Sequence, residues 1–314
     1  MDKQEKLISV IIPIFNCENT IVRCVNSILE QSYQNMEIIL IDDASTDRTY
    51  KICKEYFSGN EKIIFIRHRA NQGVSAARNS GLQQAKGEYI SFCDADDYMD
   101  KEMLKELFCI CESEDAEIAG CGIYGKPKQK EKIVIYDTKE KIMGYIMKHG
   151  GYIWNKLFRR EAIKGIQFNT QLVLCEDYVF LIECIMKIKK MASLARELYY
   201  YMPGGITCGA SNKHFVNGEF AYKTAMRQAI IVTAGSQWEE IFRYQCYMLA
   251  VVEKDSDYVA QVLTAENKRI LEDTIIWAKK GFLKSKKVSV KNKIIYTIRD
   301  KFPKIKSIVR KIGG

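Results

Sequence analysis

Three short polar strings, each placed directly after an apolar run, constrain the fold of this chain more than any other feature. The strings are Pro13–Asn16, Asp42–Ser45 and Asp94–Asp97. Short β-rich apolar runs between helical patterns are typical of parallel strands buried on both faces. Ligands of such sheets bind outside the carboxyl ends of the strands. We therefore expect a turn and several carboxylates at one sheet edge, where a metal-bound, phosphate-bearing ligand would offset the like charge.

Strand and helix patterns alternate through the first half of the chain. Strands are predicted near 7–13, 37–42, 62–67 and 88–93, and helices near 19–32, 46–58, 73–85 and 100–114. Repeated β-α units predict an α/β fold with a doubly wound, mostly parallel sheet flanked by helices. The pattern loosens from 121 to 210. Beyond it, helical periodicity predicts a helical C-terminal extension that includes a helix over 213–233.

Composition narrows the class of protein. Of the 314 residues, 47% are hydrophobic, which is enough for a large core, yet no run of eighteen apolar residues predicts a membrane-spanning helix. The mixed charge of residues 1–6 does not fit a signal peptide. The eleven cysteines form no C-x-x-C pair and predict reduced core thiols in a cytosolic protein, with a zinc site as the alternative.

The basic charge is concentrated in a tail, residues 279–314. This segment holds thirteen Lys or Arg and one acid, a charge of +12, so residues 1–278 carry −3 of the total of +9. Isoleucines at three- and four-residue steps predict an amphipathic helix, which favours binding in the plane of an anionic membrane. Packing within the protein and nucleic-acid binding are the alternatives, and the long apolar stripe disfavours nucleic acid.

Four motifs carry a resemblance to a known family. They are V-I-I-P-I-F-N from Val10, I-D-D-A-S-T-D from Ile41, N-x-G-V-S-A-A-R-N-x-G from Asn71 and D-A-D-D from Asp94. In this order and spacing they resemble family 2 inverting glycosyltransferases of the bacterial surface-polysaccharide type, over about 7–207. The resemblance implies a GT-A-like domain over 1–212 and a helical extension over 213–314. Within the domain, 1–120 would be the nucleotide-binding half and 121–212 the acceptor and catalytic half.

The resemblance also implies a donor site. It assigns nucleotide-sugar contacts to Pro13, Phe15, Asn16, Asp43, Arg78, Asp94 and Ala95. A carboxylate at Asp43 that accepts from the pyrimidine N3–H would favour uracil over cytosine, because only uracil offers that donor. The alternatives are a helix N-cap at Asp43 and a surface arginine at Arg78.

Asp94 and Asp96 predict a metal site. Two carboxylates on one loop can converge on an ion, and hard oxygen ligands suit Mn²⁺ or Mg²⁺ shared with phosphates rather than zinc. The resemblance assigns Asp96 to the metal that bridges the donor diphosphate, and places Asp94 near the ribose. The alternative is a solvated loop that caps the helix near 100, with Asp97 and Asp100 in that role.

The string E-D-Y-V-F at Glu176 is the candidate for chemistry. An inverting transfer needs one carboxylate to take the proton of the acceptor hydroxyl. The match to the family string E-D-x-x-F assigns this base to Asp177, with Glu176 as its neighbour. Acids that complement a helix dipole are the alternative.

Two further strings give acceptor or phosphate candidates. Trp154 and Lys156 lie in W-N-K-L-F, where the resemblance suggests a sugar platform and a phosphate contact; an amphipathic core helix is the alternative. Relatives often carry Arg where Met202 stands. In this chain Thr207 would therefore have to supply the diphosphate contact from that side. For His68 the sequence predicts only a solvated or capping role.

Together with these residues, the resemblance implies an inverting, metal-dependent glycosyltransferase that moves a sugar from a UDP-sugar to an acceptor hydroxyl. The expected partners are the donor, a glycan acceptor that is lipid-linked, and an anionic membrane at residues 279–314, without nucleic acid. Self-association is left open. The expected location is cytoplasmic and peripheral, on the inner face of the cell membrane. The alternative function is a catalytically idle, nucleotide-sugar-binding scaffold for other transferases.

Overall fold

The computed structural model describes residues 6–125, 132–202, 214–216, 219–236, 238, 241–243, 245–246, 249–250 and 264–284. The chain divides into two compact units, Met1–Cys208 and Gly209–Gly314.

The first unit contains strands and helices in alternation. Its strands are β1 (Ile8–Ile14), β2 (Met36–Asp42), β3 (Ile63–Arg67), β4 (Tyr89–Phe92), β5 (Tyr98–Met99), β6 (Ile118–Ile123), β7 (Ile133–Tyr136), β8 (Lys156–Arg159) and β9 (Met191–Tyr200). Its helices are α1 (Ile21–Leu29), α2 (Thr49–Phe57), α3 (Val74–Gln84), α4 (Met103–Ser113), α5 (Lys139–His149), α6 (Arg160–Ile163) and α7 (Glu176–Lys187).

Among the described residues the strands form one mixed sheet in the order β3-β2-β1-β4-β8-β6-β9-β5, with β7 also paired to β9. The pairs β1·β2, β1·β4, β2·β3 and β6·β9 are parallel. Because β8 is antiparallel to both β4 and β6, those two strands run in the same direction. The carboxyl ends of β1, β2, β4, β6 and β9 therefore share one edge, hereafter the carboxyl edge. This confirms the expected mostly parallel sheet.

Side chains alternate between two cores along the strands, as the pleat requires. Tyr89 and Cys93 pack in a cluster with buried residues of α1, α2 and α4 on one face. Phe92 points to the other face, where its ring centroid lies 5.5 Å from that of Phe168 and 5.9 Å from that of Phe180. This second core fixes the start of α7 beside the end of β4.

Three short strands and one hairpin differ from the sequence prediction. The predicted alternative of an amphipathic helix around Trp154 is wrong, because Lys156–Arg159 forms β8 between β4 and β6. The strands β5 and β7 were likewise not expected. The predicted helix over 213–233 is shorter: β10 (Phe215–Val216) pairs with β11 (Glu219–Phe220), and α8 covers Ala221–Val232. Strands of two to four residues are too short to show a period.

The second unit is mainly helical in its described part, which confirms the predicted extension. It contains the β10–β11 hairpin, α8 and α9 (Ala265–Lys284), with Phe220, Ala250 and Leu271 in its core. Within the described residues, no helix combines the length and the apolar character that crossing a bilayer requires.

Candidate active site

The loop after β1 opens the site at the carboxyl edge. Pro13 pairs with Ile41 inside the sheet, and the ring of Phe15 beyond it is 44% exposed. Asn16 has a φ of 49°, a left-handed conformation that asparagine tolerates better than most residues. Its Oδ1 accepts from the backbone N–H of Thr46 at 2.8 Å. Asn16 therefore joins the loops after β1 and β2 and leaves Phe15 facing outward.

Asp43 organises the loop that leads into α3. Its carboxylate accepts from the backbone N–H of Gln72 at 3.0 Å and of Gly73 at 2.7 Å. His68 Nδ1 lies 2.7 Å from Asp43 Oδ1, and His68 Nε2 lies 2.9 Å from Ser80 Oγ. The solvated role predicted for His68 is therefore wrong, because the side chain is 9% exposed and is held between two partners.

Asp42, the preceding residue, has a structural environment. Its carboxylate is fully buried, accepts from the backbone N–H of Ser45 at 3.0 Å, and pairs with Arg67 Nε at 3.0 Å. These contacts fix the turn that presents Asp43.

Arg78 connects the acidic loop after β4 with the start of α7. Its guanidinium donates to Asp94 Oδ1 at 2.9 Å and to Glu176 Oε1 at 2.7 Å, and its side chain is only 5% exposed. The ring of Phe168 lies 5.4 Å from the guanidinium carbon. A planar fork can serve two carboxylates at once, which an ammonium cannot do with the same geometry. The predicted Arg78, Asp94 and Glu176 are thus brought together.

Asp96 lies one residue beyond Ala95, whose side chain is buried. Burial and the neighbouring charge of Asp94 raise the pKa of Asp96 above its usual range. The backbone carbonyl of Asp96 accepts from Arg23 at 2.6 Å. The carboxylate charge is therefore incompletely offset by the protein.

Asp97 turns inward and does not cap α4. It is fully buried and accepts from the Tyr199 hydroxyl at 2.8 Å and from the backbone N–H of Met202 at 2.8 Å. Burial raises the pKa of Asp97 to about 7. The Tyr199 hydroxyl also accepts from the backbone N–H of Asp94 at 3.2 Å. Asp97 and Tyr199 thereby fix the acidic loop to the end of β9.

Asp177 lies in the first turn of α7, beside Glu176. Burial, followed by the like charge of Glu176, raises the pKa of Asp177 to about 7, although Arg78 opposes the shift. Cys175, directly before this pair, has a φ of 60°. Such a backbone costs about 1–2 kcal/mol in a non-glycine residue and is often found at functional sites.

Trp154 is buried inside an aromatic cluster. It is 5% exposed, and its ring stacks at 4.8 Å from that of Tyr152 and at 4.3 Å from that of Tyr199. Tyr201 stacks on it at 5.7 Å. The structure therefore leaves little of the Trp154 ring open to a sugar.

Lys156 is also internal. Its side chain is 1% exposed, and its amino group donates to the carbonyl oxygen of Tyr152 and, at 2.8 Å, to Asn155 Oδ1. Burial lowers the pKa of Lys156 to about 8. These contacts hold the loop before β8. Thr207 and residues 285–314 of the tail lie outside the described residues.

The residues at the acidic loop suit a hard divalent cation. Asp94 and Asp96 supply carboxylate oxygens, and their proximity raises the cost of keeping both charged. Within the described part of the chain, no three His, Cys, Asp or Glu side chains converge as a complete ion site. A cation held here would need further ligands from a bound phosphate, which fits a metal that arrives with a nucleotide.

Sequence reasoning missed His68, Asp97 and Tyr199 as members of the site. His68 follows β3, so the strand-end rule that singled out Asp43 and Asp94 would also have found it. Asp97 lies in the strand-end string Asp94–Asp97, where the sequence suggested a helix cap, whereas Tyr199 gave no comparable signal, because their contact joins the loop after β4 to β9, 102 residues away.

Comparisons with known proteins bear on this geometry. Residues 9–170 match the family model described as Glycosyl transferase family 2. The chain is 32% identical over 238 residues to the uncharacterized glycosyltransferase EpsJ of Bacillus subtilis, and the alignment covers 70% of this chain and 65% of EpsJ. It is 32% identical over 205 residues to the poly(ribitol-phosphate) beta-glucosyltransferase of Bacillus spizizenii, and that alignment covers 62% of this chain and 32% of the relative. Each alignment thus spans less than two thirds of the relative.

A solved structure shares the fold. Residues 1–349 of S. aureus TarS in complex with UDP-GlcNAc give a TM-score of 0.68 at 23% identity, covering 88% of this chain and 80% of that chain. The likeness confirms the expected GT-A-like architecture.

Proposed function

Because this chain belongs to glycosyl transferase family 2 and is a glycosyltransferase, we propose that it moves a sugar from a UDP-sugar to an acceptor hydroxyl with inversion at the anomeric carbon. The observation that carries the proposal is the double contact of Arg78 with Asp94 and Glu176. That contact holds a candidate base, Asp177, beside the acidic loop at the carboxyl edge.

The donor nucleotide binds between the ends of β1 and β2. The exposed ring of Phe15 packs against the base, and Pro13 lines the same pocket. A carboxylate has about four lone-pair sites. Asp43 contacts His68 and Gly73 and shares the N–H of Gln72 between both of its oxygens, so the N3–H of uracil would take one of the two positions that Gln72 shares. The complex of S. aureus TarS with UDP-GlcNAc supports a uridine donor.

Asp96, with Asp94 beside it, would hold Mn²⁺ or Mg²⁺ when the donor diphosphate is bound. Such a cation would supply compensation for the charge of the leaving diphosphate, and no protein acid would then be needed on that side. The reason to expect a cation there is the pair of carboxylates, Asp94 and Asp96, two residues apart on one loop at the carboxyl edge.

Asp177 acts as the general base. It takes the proton of the acceptor hydroxyl while the acceptor oxygen bonds to the anomeric carbon and the bond from that carbon to the diphosphate oxygen breaks. A carboxylate with a pKa near 7 is a stronger base than an ordinary one and is still half ionised at neutral pH. Glu176 pairs with Arg78 at 2.7 Å and orients the first turn of α7.

The proposed acceptor is a lipid-linked glycan of a bacterial surface polymer, which the enzyme meets at the cytoplasmic side of the membrane. Two observations support this. One relative, the poly(ribitol-phosphate) beta-glucosyltransferase of Bacillus spizizenii, is an enzyme that glycosylates a polymer, and residues 279–314 carry thirteen basic residues with one acid. A basic segment of this kind is attracted to anionic lipid.

Calorimetric titration with UDP, GDP and CDP, with and without Mn²⁺, tests the donor site. We expect binding of UDP that depends on the metal and is lost in Asp96→Ala. Asp137→Ala, which removes a carboxylate that is 57% exposed, is the matched control and should bind as the wild type does. No nucleotide binding by the wild type would contradict the proposal. Binding without transfer of any UDP-sugar would favour the idle scaffold.

A further inference from the structure

The end of β9 and the residue after it place tyrosine rings on opposite faces of the sheet. Tyr199 and Tyr201 point to the side of Trp154, whereas Tyr200 points away and stacks on Tyr98 at 4.4 Å. Tyr124, the residue after β6, lies at 4.8 Å from Tyr200 and is 61% exposed. The carboxyl edge thus carries two separate groups of aromatic rings, one on each face.

The group around Trp154 has an open surface. Trp154 is 5% exposed, but Tyr201, whose ring plane is 14° from that of Trp154, is 38% exposed, and Tyr152 is half-buried. Trp154 therefore stiffens two tyrosine rings that reach solvent. Rings fixed in advance lose little freedom when a ligand stacks on them.

This group lies next to the candidate base. A Cβ placed on Gly151 would come within 2.0 Å of Cδ2 of Tyr178, so the loop that carries Tyr152 packs directly against the first turn of α7. Burial and the charge of Asp177 raise the pKa of Tyr152, which also places the phenol within the electrostatic reach of that carboxylate.

The strand order places this tyrosine surface and the proposed nucleotide site on opposite sides of β4. In the proposed function the nucleotide binds near β1 and β2, on one side of β4, while Tyr201 follows β9 on the other side. A direct displacement requires the acceptor to approach from the side opposite to the leaving diphosphate. The rings around Trp154 therefore lie where an acceptor would arrive.

The chemistry of the surface fits one class of ligand. A pyranose ring presents a face of axial C–H groups, which packs on the electron-rich face of an aromatic ring, while its hydroxyls stay in water or reach polar groups. An open-chain alditol has no such face. A tyrosine surface beside a base thus favours a ring-form sugar.

We propose that Tyr201 and Tyr152, held by Trp154, form the acceptor subsite on which a pyranose ring stacks while its hydroxyl lies beside Asp177. The inference rests on the proposed transfer reaction and adds the class of acceptor, a glycan in pyranose form.

Ligand-observed saturation-transfer NMR with methyl β-glucopyranoside as the probe, and glucitol as the open-chain comparison, tests the subsite on the full chain. UDP with Mn²⁺ is present throughout, and UDP binding is titrated separately on each sample. The variants are Tyr201→Ala, Tyr201→Leu and Tyr201→Phe. The controls are Tyr124→Ala from the other ring group and Tyr56→Ala, a tyrosine of α2 that is 62% exposed.

We expect the wild type to bind the glycoside and not glucitol. Tyr201→Ala and Tyr201→Leu should weaken binding by about two- to tenfold, the size of one aromatic contact. Tyr201→Phe, Tyr124→Ala and Tyr56→Ala should bind as the wild type does. The leucine variant keeps apolar bulk, so its loss of binding cannot come from a collapsed surface.

Equal binding of glucitol, glycoside binding that survives Tyr201→Ala, or loss in Tyr124→Ala would overturn the inference. So would absence of glycoside binding by a protein that binds UDP, and this result would leave the donor site in place. Failure of the wild type to bind UDP would count against the proposed function and is recorded by the separate titration.

Discussion

Asp177 lies where burial and a neighbouring carboxylate both disfavour its charge. Its pKa is raised to about 7, and Arg78 limits the shift. A carboxylate that is buried beside another carboxylate holds its proton more tightly, which makes it a better acceptor for the proton of a hydroxyl. The same environment restricts the pH range in which the residue can act, because the protonated form cannot serve as a base.

Asp177→Asn should lower the rate of transfer by about 10²- to 10⁴-fold, because the amide cannot take the proton. In the wild type, kcat/KM should fall as the pH drops below about 7, where Asp177 becomes protonated. Initial rates of UDP release in the presence of acceptor, measured from pH 5 to 9, check both statements. Asp137→Asn is the control, and UDP binding should be retained in both variants. Transfer by Asp177→Asn at the wild-type rate would show that another group is the base.

Arg78 is the second residue on which the site depends. It compensates Asp94 and Glu176, whose side chains are 28% and 13% exposed. Removing one partner from a buried ionic group leaves charge without compensation. The arginine thus contributes to stability and to the position of Glu176.

Arg78→Met should lower the free energy of unfolding by about 3 kcal/mol and weaken UDP binding. Urea denaturation at neutral pH measures the first effect. Arg48→Met removes a side chain that is 75% exposed and paired with Glu18, so it should cost less than about 1 kcal/mol. Equal losses in the two variants would contradict the role assigned to Arg78.

At the scale of elements, α3 is held against the sheet by a close approach at Gly81. A Cβ at this position would lie 2.4 Å from Cγ2 of Ile11 and 3.0 Å from Cδ1 of Ile41. Only a residue without a side chain lets the helix lie this close to β1 and β2. This close contact also fixes how far Arg78, one turn earlier on the same helix, lies from the sheet.

Gly81→Ala should destabilise the fold by about 1–3 kcal/mol through overpacking, and should also weaken UDP binding by displacing Arg78. Gly144→Ala in α5 is the matched control, since nothing lies within 4 Å of its added Cβ. It should raise stability by up to about 1 kcal/mol, the helix preference of alanine over glycine. Thermal unfolding of both variants gives the comparison, and a neutral Gly81→Ala would mean that α3 moves away at no cost.

The secondary-structure elements also show how far the sequence alone could predict the fold. The helices α1, α3 and α7 and the strands β1 and β2 are long enough for local patterns to reveal them, and β4 is marked by its apolar run and the acidic string after it. The strands β5, β7 and β8 span two to four residues, and their pairing partners lie far away in the sequence. Their existence depends on the sheet edges that β4, β6 and β9 offer, which no local pattern records.

At the scale of the whole molecule, charge is divided unevenly. Residues 279–314 carry +12, while residues 1–278 carry −3. A basic segment gains about 1 kcal/mol per Lys or Arg near an anionic membrane surface, and salt screens this attraction.

The full chain should therefore sediment with vesicles of phosphatidylcholine and phosphatidylglycerol, less with phosphatidylcholine alone, and less at about 0.5 M salt. Replacing four tail lysines by glutamine should reduce binding: Lys301, Lys304, Lys306 and Lys311. The control makes the same change of charge outside the tail: Lys51, Lys101, Lys105 and Lys189. Equal loss in the two variants would indicate a response to net charge alone, and would count against the tail.

The sequence by itself determined the α/β class and singled out most of the candidate site residues. Strand ends follow from apolar runs, so Asp43, Asp94 and Asp96 were expected at one edge, and the family strings added Arg78, Glu176 and Asp177. Only the tertiary structure decided what each of them contacts. Arg78 meets two carboxylates from distant segments, Asp97 turns inward to Tyr199, and Trp154 lies beneath Tyr152 and Tyr201. Local patterns specify which face a residue takes, whereas contacts between segments 16 to 102 residues apart depend on how the chain closes on itself.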